Sequence, residues 1–307
     1  MSILIDENTA VVVQGITGRE GRVITKDSLD YGTKVVAGVT PGRGGQAVMG
    51  VPVYDCLRSV FADHRPNATV ICVPPLGVRE AALEAIENGI ELILIVTERV
   101  PRKDVAEILS IAAANQIRVL GPNSLGVIAP GRSKLGTVGG SQENTLRTFM
   151  QGGIGILSRS GGMTSELGSL LTSNGIGQST CVSVGGDPLV GSTFKELFML
   201  FQEDSETSAV VLFCEPGGTM EEELADYYKA TGSIKPIIAF VAGRFVDDIP
   251  GTRFGHAGVI VDAGHGSTRG KIESFKAGGI LVADRLRDLI PMINDCLAGH
   301  AATDWSR

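Results

Sequence analysis

The first half of the chain alternates between short apolar runs and longer segments whose apolar residues recur at helical spacing. Strands are predicted at TAVVVQ, TKVVAGV, NATVICVP, ELILIVT and IRVLGP, and helices at GREGRVITKDSLDYG, VREAALEAIENG and RKDVAEILSIAAANQ. Continuous apolar strands separated by amphipathic helices are typical of a parallel sheet that is covered on both faces. Residues 1–130 are therefore predicted to form a Rossmann-like, doubly wound α/β domain.

The alternation stops after this domain and then resumes. Residues 131–152 are rich in Gly, Ser and Thr, which predicts an interdomain linker. Beyond it, strands are predicted at IGILS, STCVSVG, AVVLFCE, KPIIAFVAG and ILVA, with helices between most of them. Residues 153–295 are therefore expected to form a second, flavodoxin-like α/β domain, and residues 296–307, which carry little pattern, a frayed tail.

Composition excludes several classes of function. The 307 residues carry a net charge of −7 without a clustered Lys/Arg face, so nucleic-acid binding is not expected. No apolar run is long enough to span a membrane and the N-terminus does not resemble an export signal, so we expect a cytoplasmic protein without membrane association. The five cysteines are scattered without a C-x-x-C pair, which indicates reduced thiols and no metal site.

A glycine turn follows the first predicted strand. Gly15, Gly18 and Gly21 form G-x-x-G-x-x-G, a spacing that lets a phosphate approach the backbone at the start of a helix. An NAD site would also need an acidic residue about 20 positions further on, where this chain has VTPGR. Arg43 in that segment is a candidate for binding the ribose phosphate of NADP or of coenzyme A, and a solvated loop arginine is the alternative.

The second half offers candidate residues for phosphate chemistry. Ser158 and Ser160 stand at a strand-to-helix junction, LSRSGG, that suits either a phosphoryl group or a capped helix without a ligand. Glu215 ends an apolar strand, where it can orient an imidazole or cap the next helix. His256 and His265 both have small neighbours, and spacing alone does not choose between them.

Taken together, these segments resemble the alpha subunit of succinyl-CoA synthetase, within the superfamily of nucleoside-diphosphate-forming acyl-CoA synthetases. The resemblance covers residues 1–295. It rests on ten segments in the family's order: SILIDENT, QGITGREG, YGTKVVAGVTPGRGG, GVPVYD, TER, GPNSLGVI, LSRSGG, GIGQSTCVSVGGDP, CEPGG and GHAGVI.

The resemblance implies a role for each candidate residue. It implies that coenzyme A is bound by Thr17, Gly18, Arg19, Glu20, Arg43 (usually lysine in the family), Val96, Thr97 and Glu98. It implies that His256 rather than His265 is phosphorylated and that Glu215 steadies it. The turn that cradles the phosphohistidine would consist of Ser158, Ser160, Gly161 and Gly162.

The resemblance also implies partners and substrates. No candidate ATP-grasp domain is found in the sequence, so ATP or GTP with Mg²⁺ is expected on a separate beta subunit, in an αβ or α2β2 assembly. The acid would lie near Asn123, Ser124 and Ser165, and because Ser165 replaces a family tyrosine, an acid other than succinate, or a bulkier one, is expected. An NADP-dependent oxidoreductase and a non-catalytic CoA-binding regulator are the alternative functions.

Overall fold

The computed structural model describes residues 2–233, 235–248, 255–259 and 266–303. Within these ranges the chain forms two seven-stranded sheets with helices packed against them. None of the helices described here is both long and apolar enough to cross a membrane.

The first sheet has the strand order β3-β4-β2-β1-β5-β6-β7. All neighbours are parallel except β3 and β4. Its strands are β1 (Ala10–Gln14), β2 (Lys34–Val39), β3 (Ala47–Val48), β4 (Val51–Tyr54), β5 (Ala68–Ile71), β6 (Leu92–Ile95) and β7 (Arg118–Leu120). Its helices are α1 (Arg19–Tyr31), α2 (Leu57–Asp63), α3 (Val78–Glu87) and α4 (Arg102–Ala114). Because successive strands extend the sheet in opposite directions from β1, a crevice opens between β1 and β5, as in Rossmann-like domains.

The second sheet has the order β14-β13-β12-β10-β11-β8-β9. Its strands are β8 (Gly126–Ala129), β9 (Ser133–Gly136), β10 (Gln151–Ser158), β11 (Gln178–Ser183), β12 (Ala209–Cys214), β13 (Ile237–Val241) and β14 (Leu281–Ala283). Its helices are α5 (Gln142–Thr148), α6 (Gly161–Ser173), α7 (Phe194–Glu203), α8 (Met220–Thr231), α9 (Thr268–Gly278) and α10 (Leu289–Thr303). The five parallel strands β10 to β14 follow the flavodoxin order, with the change of direction between β10 and β12.

The prediction of a linker over residues 131–152 is wrong. Strands β8 and β9 form an antiparallel hairpin that joins the second sheet through β11, and α5 follows the hairpin. The glycines that indicated a loop allow close packing instead: a Cβ at Gly126 would lie 1.9 Å from the carbonyl oxygen of Leu135. The first domain therefore ends before β8 rather than at residue 130.

The C-terminal segment also differs from its prediction. Helix α10 continues to Thr303, so residues 296–303 are helical rather than frayed, and residues 304–307 lie outside the described ranges. Leu289 and Ile293, one helical turn apart, are fully buried in the core of the second sheet, which anchors the helix.

The two units are joined by buried polar contacts. The Thr33 hydroxyl donates to the carbonyl oxygen of Lys134 at 2.9 Å and accepts from its amide at 3.0 Å. The Lys134 ammonium is fully buried and donates to the carbonyl oxygen of Gly140 at 2.6 Å. Burial lowers the pKa of Lys134 to about 8, because the interior disfavours its charged form.

Candidate functional site

A cavity of about 690 Å³ opens at the crevice of the first sheet. Its walls come from the ends of β1, β2 and β5 and from helix α3. This is the place where open α/β sheets bind their ligands. Thr17 and Gly18, two of the residues predicted to bind coenzyme A, line the cavity, and so do Cys72, Pro74 and Glu80, which were not predicted.

The glycine turn has the form that a phosphate site needs. Gly15 has a φ of 93°, and a Cβ at Gly21 would lie 2.3 Å from the Gly15 carbonyl oxygen, so only glycine lets the turn pack against α1. Gly18 caps α1 without a side-chain hydrogen bond. The first amide groups of the helix are therefore left for an anionic ligand or water.

The remaining residues predicted for this site lie around the cavity rather than in its wall. Arg19 and Glu20 are the exposed first residues of α1, and Arg43 is exposed in the loop after β2. Val96 and Thr97 follow β6 and are buried, whereas Glu98 is exposed. The Thr97 hydroxyl donates to the carbonyl oxygen of Val73 at 2.8 Å. Burial raises the pKa of the Cys72 thiol to about 12, so Cys72 is not a nucleophile here.

A histidine–carboxylate pair occupies the equivalent edge of the second sheet. Glu215 follows β12 directly, and its Oε2 lies 2.7 Å from Nδ1 of His256. The hydrogen bond to Glu215 raises the pKa of His256, although partial burial opposes this shift. Since a carboxylate can only accept, the proton lies on Nδ1 in the neutral ring and Nε2 keeps its lone pair.

Two glycines hold the His256 ring. A Cβ at Gly186 would lie 2.6 Å from both Cγ and Cδ2 of the ring, so the backbone after β11 packs directly against it. The Gly258 amide donates to the carbonyl oxygen of Gly186 at 3.0 Å, and the Val259 amide donates to that of His256 at 3.0 Å. The imidazole is thus fixed between the loop after β11 and Glu215. His265, the alternative histidine, lies outside the described residues.

Arg159 and Asp187 belong to this site, although the sequence did not single them out. Arg159 is only 3% exposed, and its Nη2 donates to the carbonyl oxygen of Asp187 at 3.4 Å. Asp187 accepts at Oδ1 from the Asn123 side-chain amide at 3.0 Å. Both residues lie inside segments that carry the family resemblance, LSRSGG and GIGQSTCVSVGGDP, and this position could have indicated that they belong to the site.

The turn from 158 to 162 connects β10 to α6. The Ser158 hydroxyl donates to the carbonyl oxygen of Ser160 at 2.7 Å and accepts from the Ser160 amide at 3.0 Å. The Ser160 hydroxyl caps α6 by accepting from the Met163 amide at 3.4 Å. Both hydroxyls therefore shape the turn, and the amides of Gly161 and Gly162, which have no partner one turn earlier, are the groups that can bind an anion.

The three residues predicted to contact the acid lie in different surroundings. Asn123 is half-buried and reaches the His256 loop through Asp187. The Ser165 hydroxyl is half-buried and accepts from the Gly139 amide at 3.3 Å. Ser124 is fully buried, and its hydroxyl donates to the carbonyl oxygen of Ser183 at 2.5 Å. The structure thus does not support direct contact of Ser124 with a substrate, because its hydroxyl is engaged beneath the site.

A second cavity, of about 310 Å³, lies beside the imidazole. The residues that line it include Glu215, Pro216, Phe245 and His256, and Phe245 is 57% exposed. Among the residues that the structure describes, no group of three or more His, Cys, Asp or Glu side chains has an arrangement that could hold a metal ion.

Comparison with known proteins agrees with this division of the chain. The model of the CoA binding domain family matches residues 6–99, and that of the CoA-ligase family matches residues 157–281. The chain is 43% identical, over 97% of its length, to succinate–CoA ligase (ADP-forming) subunit alpha 1 of Archaeoglobus fulgidus, 99% of which is covered. It is 41% identical, over 96% of its length, to a subunit of an ADP-forming sulfoacetate–CoA ligase of an Acholeplasma species, 98% of which is covered.

The fold also recurs in solved structures. The ATP citrate lyase of Methanothrix soehngenii, determined with citrate and coenzyme A, matches 99% of this chain with a TM-score of 0.91 and 22% identity. This chain spans about half, 52%, of that lyase chain. The likeness confirms the arrangement of two α/β units.

Proposed function

Because the chain belongs to the family of succinate–CoA ligase alpha subunits, we propose that it is the alpha subunit of a nucleoside-diphosphate-forming carboxylate–CoA ligase. The observation that carries the proposal is the contact of 2.7 Å between His256 Nδ1 and Glu215 Oε2 at the crevice of the second sheet. A dehydrogenase or a non-catalytic CoA-binding regulator would leave this pair without a role. A phosphoryl carrier needs both members of it.

The pair accounts for the group-transfer steps. The Nε2 lone pair of His256 attacks the γ-phosphorus of a nucleoside triphosphate, an N–P bond forms, and the nucleoside diphosphate leaves. A carboxylate oxygen of the acid then attacks the same phosphorus, and Nε2 leaves with its electron pair, which gives an acyl phosphate. Glu215 keeps the proton on Nδ1 throughout and stabilises the positive charge that develops on the ring. The amides of Gly161 and Gly162 are suited to hold the phosphoryl oxygens.

We place coenzyme A in the cavity of the first sheet. The cavity of about 690 Å³, the uncapped start of α1 and the glycine turn suit a phosphate-bearing, nucleotide-like molecule. Thr17, Gly18, Arg19 and Glu20 would hold it, with Arg43 near a phosphate and Val96, Thr97 and Glu98 at the far side. Its thiol supplies the nucleophile that converts the acyl phosphate into a thioester and free phosphate.

The nucleotide is proposed to bind on a second chain. The two α/β units account for most of the described residues, and relatives at 43% and 41% identity are named as subunits. We propose an ATP-grasp beta subunit that binds ATP or GTP with Mg²⁺, in an αβ or α2β2 assembly.

The acid is proposed to differ from succinate. The resemblance to the family implies that Ser165 replaces a tyrosine, and the Ser165 hydroxyl already accepts a hydrogen bond from the Gly139 amide at 3.3 Å. A relative at 41% identity is a sulfoacetate–CoA ligase subunit, so the family includes at least one other acid. Carboxylic and sulfonated acids assayed with the reconstituted enzyme would test this, and a dominant preference for succinate would contradict it.

Phosphate labelling of the reconstituted enzyme tests the proposed function. The chain, co-purified with its partner, is incubated with γ-labelled ATP or GTP and Mg²⁺, and we expect label on this chain in the wild type and none in His256→Ala. His64→Ala is the matched control, because His64 contacts the Tyr54 ring in the first unit, away from both cavities. Equal labelling of wild type and His256→Ala would refute the proposal.

A further inference from the structure

We propose that the guanidinium of Arg159 is the countercharge for the phosphoryl group that His256 carries. This inference deepens the proposed function and rests on it. It gives a role to Arg159, which lies inside the segment LSRSGG but for which the sequence predicted no function.

The first observation is that Arg159 is a buried cation without a matching anion. The residue is 3% exposed, and within the described part of the chain its Nε has no hydrogen-bond partner. Its hydrogen bond to the Asp187 carbonyl oxygen is long, at 3.4 Å, and none of the ion pairs within 4.0 Å among the described residues includes it. Burying a charge is costly unless the charge is paired, so a guanidinium kept in this condition indicates an anion that arrives during the reaction.

The second observation is where the guanidinium lies. A Cβ at Gly258, two residues after His256, would stand 2.5 Å from Nη2. A Cβ at Gly218, three residues after Glu215, would stand 3.6 Å from Nη1. The guanidinium thus lies where three loops meet: the loop of His256, the loop of Glu215 and the loop after β11, whose Gly186 packs against the ring. Its positive charge also lowers the pKa of His256, against the larger effect of Glu215, so the charge is felt at the imidazole.

The charge balance of the site supports this role. A phosphoryl group adds roughly −1.5 to −2 charges near neutral pH, and Glu215 already lies 2.7 Å from the other ring nitrogen. Helix N-termini contribute only about half a charge each. A full positive charge in a water-poor position offsets much of the remainder and needs no rearrangement when the phosphoryl group arrives.

Binding of the acid is the competing role for Arg159. Its carboxylate would also attract a guanidinium, but a diffusible ligand needs an accessible face of that group. With 3% exposure and glycine backbone on two sides, Arg159 has little surface to offer. The phosphoryl group is held covalently at a fixed atom, Nε2, and the charge of Arg159 already acts on that imidazole, so it can stabilise the group without an exposed face for a diffusing ligand.

Single-turnover phosphorylation distinguishes these roles. Arg159→Met keeps the apolar stem and removes the charge, and Arg159→Lys keeps the charge as the matched control. Each enzyme, assembled with its partner, is mixed with γ-labelled nucleoside triphosphate and Mg²⁺ without acid or coenzyme A. We expect Arg159→Met to form phosphohistidine about 10²–10³-fold more slowly and to reach a lower equilibrium fraction. Arg159→Lys should recover at least about a tenth of the wild-type rate, with CoA affinity unchanged in both variants.

Several results would overturn the inference. One is phosphorylation of Arg159→Met at the wild-type rate. Another is an Arg159→Met enzyme whose only defect is a raised KM for the acid. If Arg159→Met does not fold, it is replaced by Arg159→Gln, which removes the charge but keeps an N–H donor for the Asp187 carbonyl oxygen. We expect Arg159→Gln to phosphorylate more slowly than Arg159→Lys, and wild-type rates in both would refute the role. If the wild-type chain itself acquires no label at His256, the proposed function fails rather than this inference.

Discussion

Replacing Gly186 by alanine should disable phosphoryl transfer while leaving the fold intact. The Cβ of the new alanine would lie 2.6 Å from the ring atoms Cγ and Cδ2 of His256 and 3.0 Å from the Cβ of His256. Gly186 is not among the glycines with a φ in the left-handed region, so its backbone accepts alanine. The three atoms nearest to the added Cβ all belong to His256, so the main conflict is with this side chain.

The size of the effect follows from these distances. Carbon atoms in contact prefer about 3.5–4.0 Å, so the ring must retreat by about 1 Å. A retreat away from Glu215 would stretch the contact, now 2.7 Å, beyond hydrogen-bonding range. A misplacement of about 1 Å can lower a catalysed rate about 10²-fold. Because the imidazole is 34% exposed and can move towards solvent, we expect a loss of stability near the low end, about 1 kcal/mol, of the range for overpacked cores.

The assay compares the single-turnover rate of His256 phosphorylation with the free energy of unfolding in urea. Gly153→Ala is the matched control. It adds a methyl near the start of β10, at the opposite end of the sheet, where the nearest atom is the rotatable hydroxyl of Ser208 at 3.1 Å. We expect Gly153→Ala to phosphorylate at the wild-type rate. A Gly186→Ala enzyme that phosphorylates within threefold of wild type would refute the argument that this backbone contact holds the ring.

Three further predictions concern ionisable groups. Glu215→Gln replaces the charged hydrogen-bond acceptor that raises the pKa of His256, so the imidazole of the variant should lose its proton at a lower pH. Because only the neutral imidazole is a nucleophile, the phosphorylation rate of the variant should rise at lower pH than that of the wild type, and coincident pH profiles would contradict this. Lys271→Met removes the counterion of the fully buried Glu221, whose Oε2 lies 2.7 Å from the Lys271 ammonium. The free energy of unfolding in urea should fall by about 3–5 kcal/mol, and a loss below about 1 kcal/mol would show that the pair is not strongly coupled. Burial lowers the pKa of Lys134 from 10.5 to about 8, so between these pH values the unfolded state binds more protons than the folded state. As pH rises from about 8 to 10.5, the free energy of unfolding of the wild type should therefore increase by up to about 3 kcal/mol relative to that of Lys134→Met. A difference that stays constant with pH would contradict the lowered pKa.

Most of the fold could be predicted because its strands and helices differ in hydrophobic period. β5, β6 and β12 are buried at every residue, which produces the continuous apolar runs of a parallel sheet. Right-handed crossovers and the change of direction at the first strand then restrict the arrangement to few possibilities. The glycine turn at Gly15 could be predicted for a similar reason, since it must lie between a strand and a helix.

The errors arise where tertiary packing decides the local structure. The β8–β9 hairpin contains a fully buried lysine, and its glycines let the two strands approach closely because they have no side chains. In the sequence, lysine and glycine are typical of a polar loop, so the pattern predicts a linker instead of the hairpin. Ser124 resembles a pocket residue because its hydroxyl is polar, but the structure uses that hydroxyl to tie the chain to β11. Arg159 could not be assigned because its burial depends on loops that are far apart in the sequence.

The segment GPNSLG explains how two separate α/β units can serve one reaction. Its Asn123, held in the left-handed conformation with a φ of 57°, donates its amide to the Thr97 carbonyl oxygen at 3.1 Å, in the loop after β6. The Asn123 side chain donates to Asp187, and the Gly186 amide donates to the Asn123 carbonyl oxygen at 3.3 Å. Gly186 in turn packs against the His256 ring. Asn123 therefore links the loop after β6, near the proposed site of coenzyme A, to the backbone that positions the His256 imidazole. These local hydrogen bonds, rather than a flexible linker, set the alignment of the two sites.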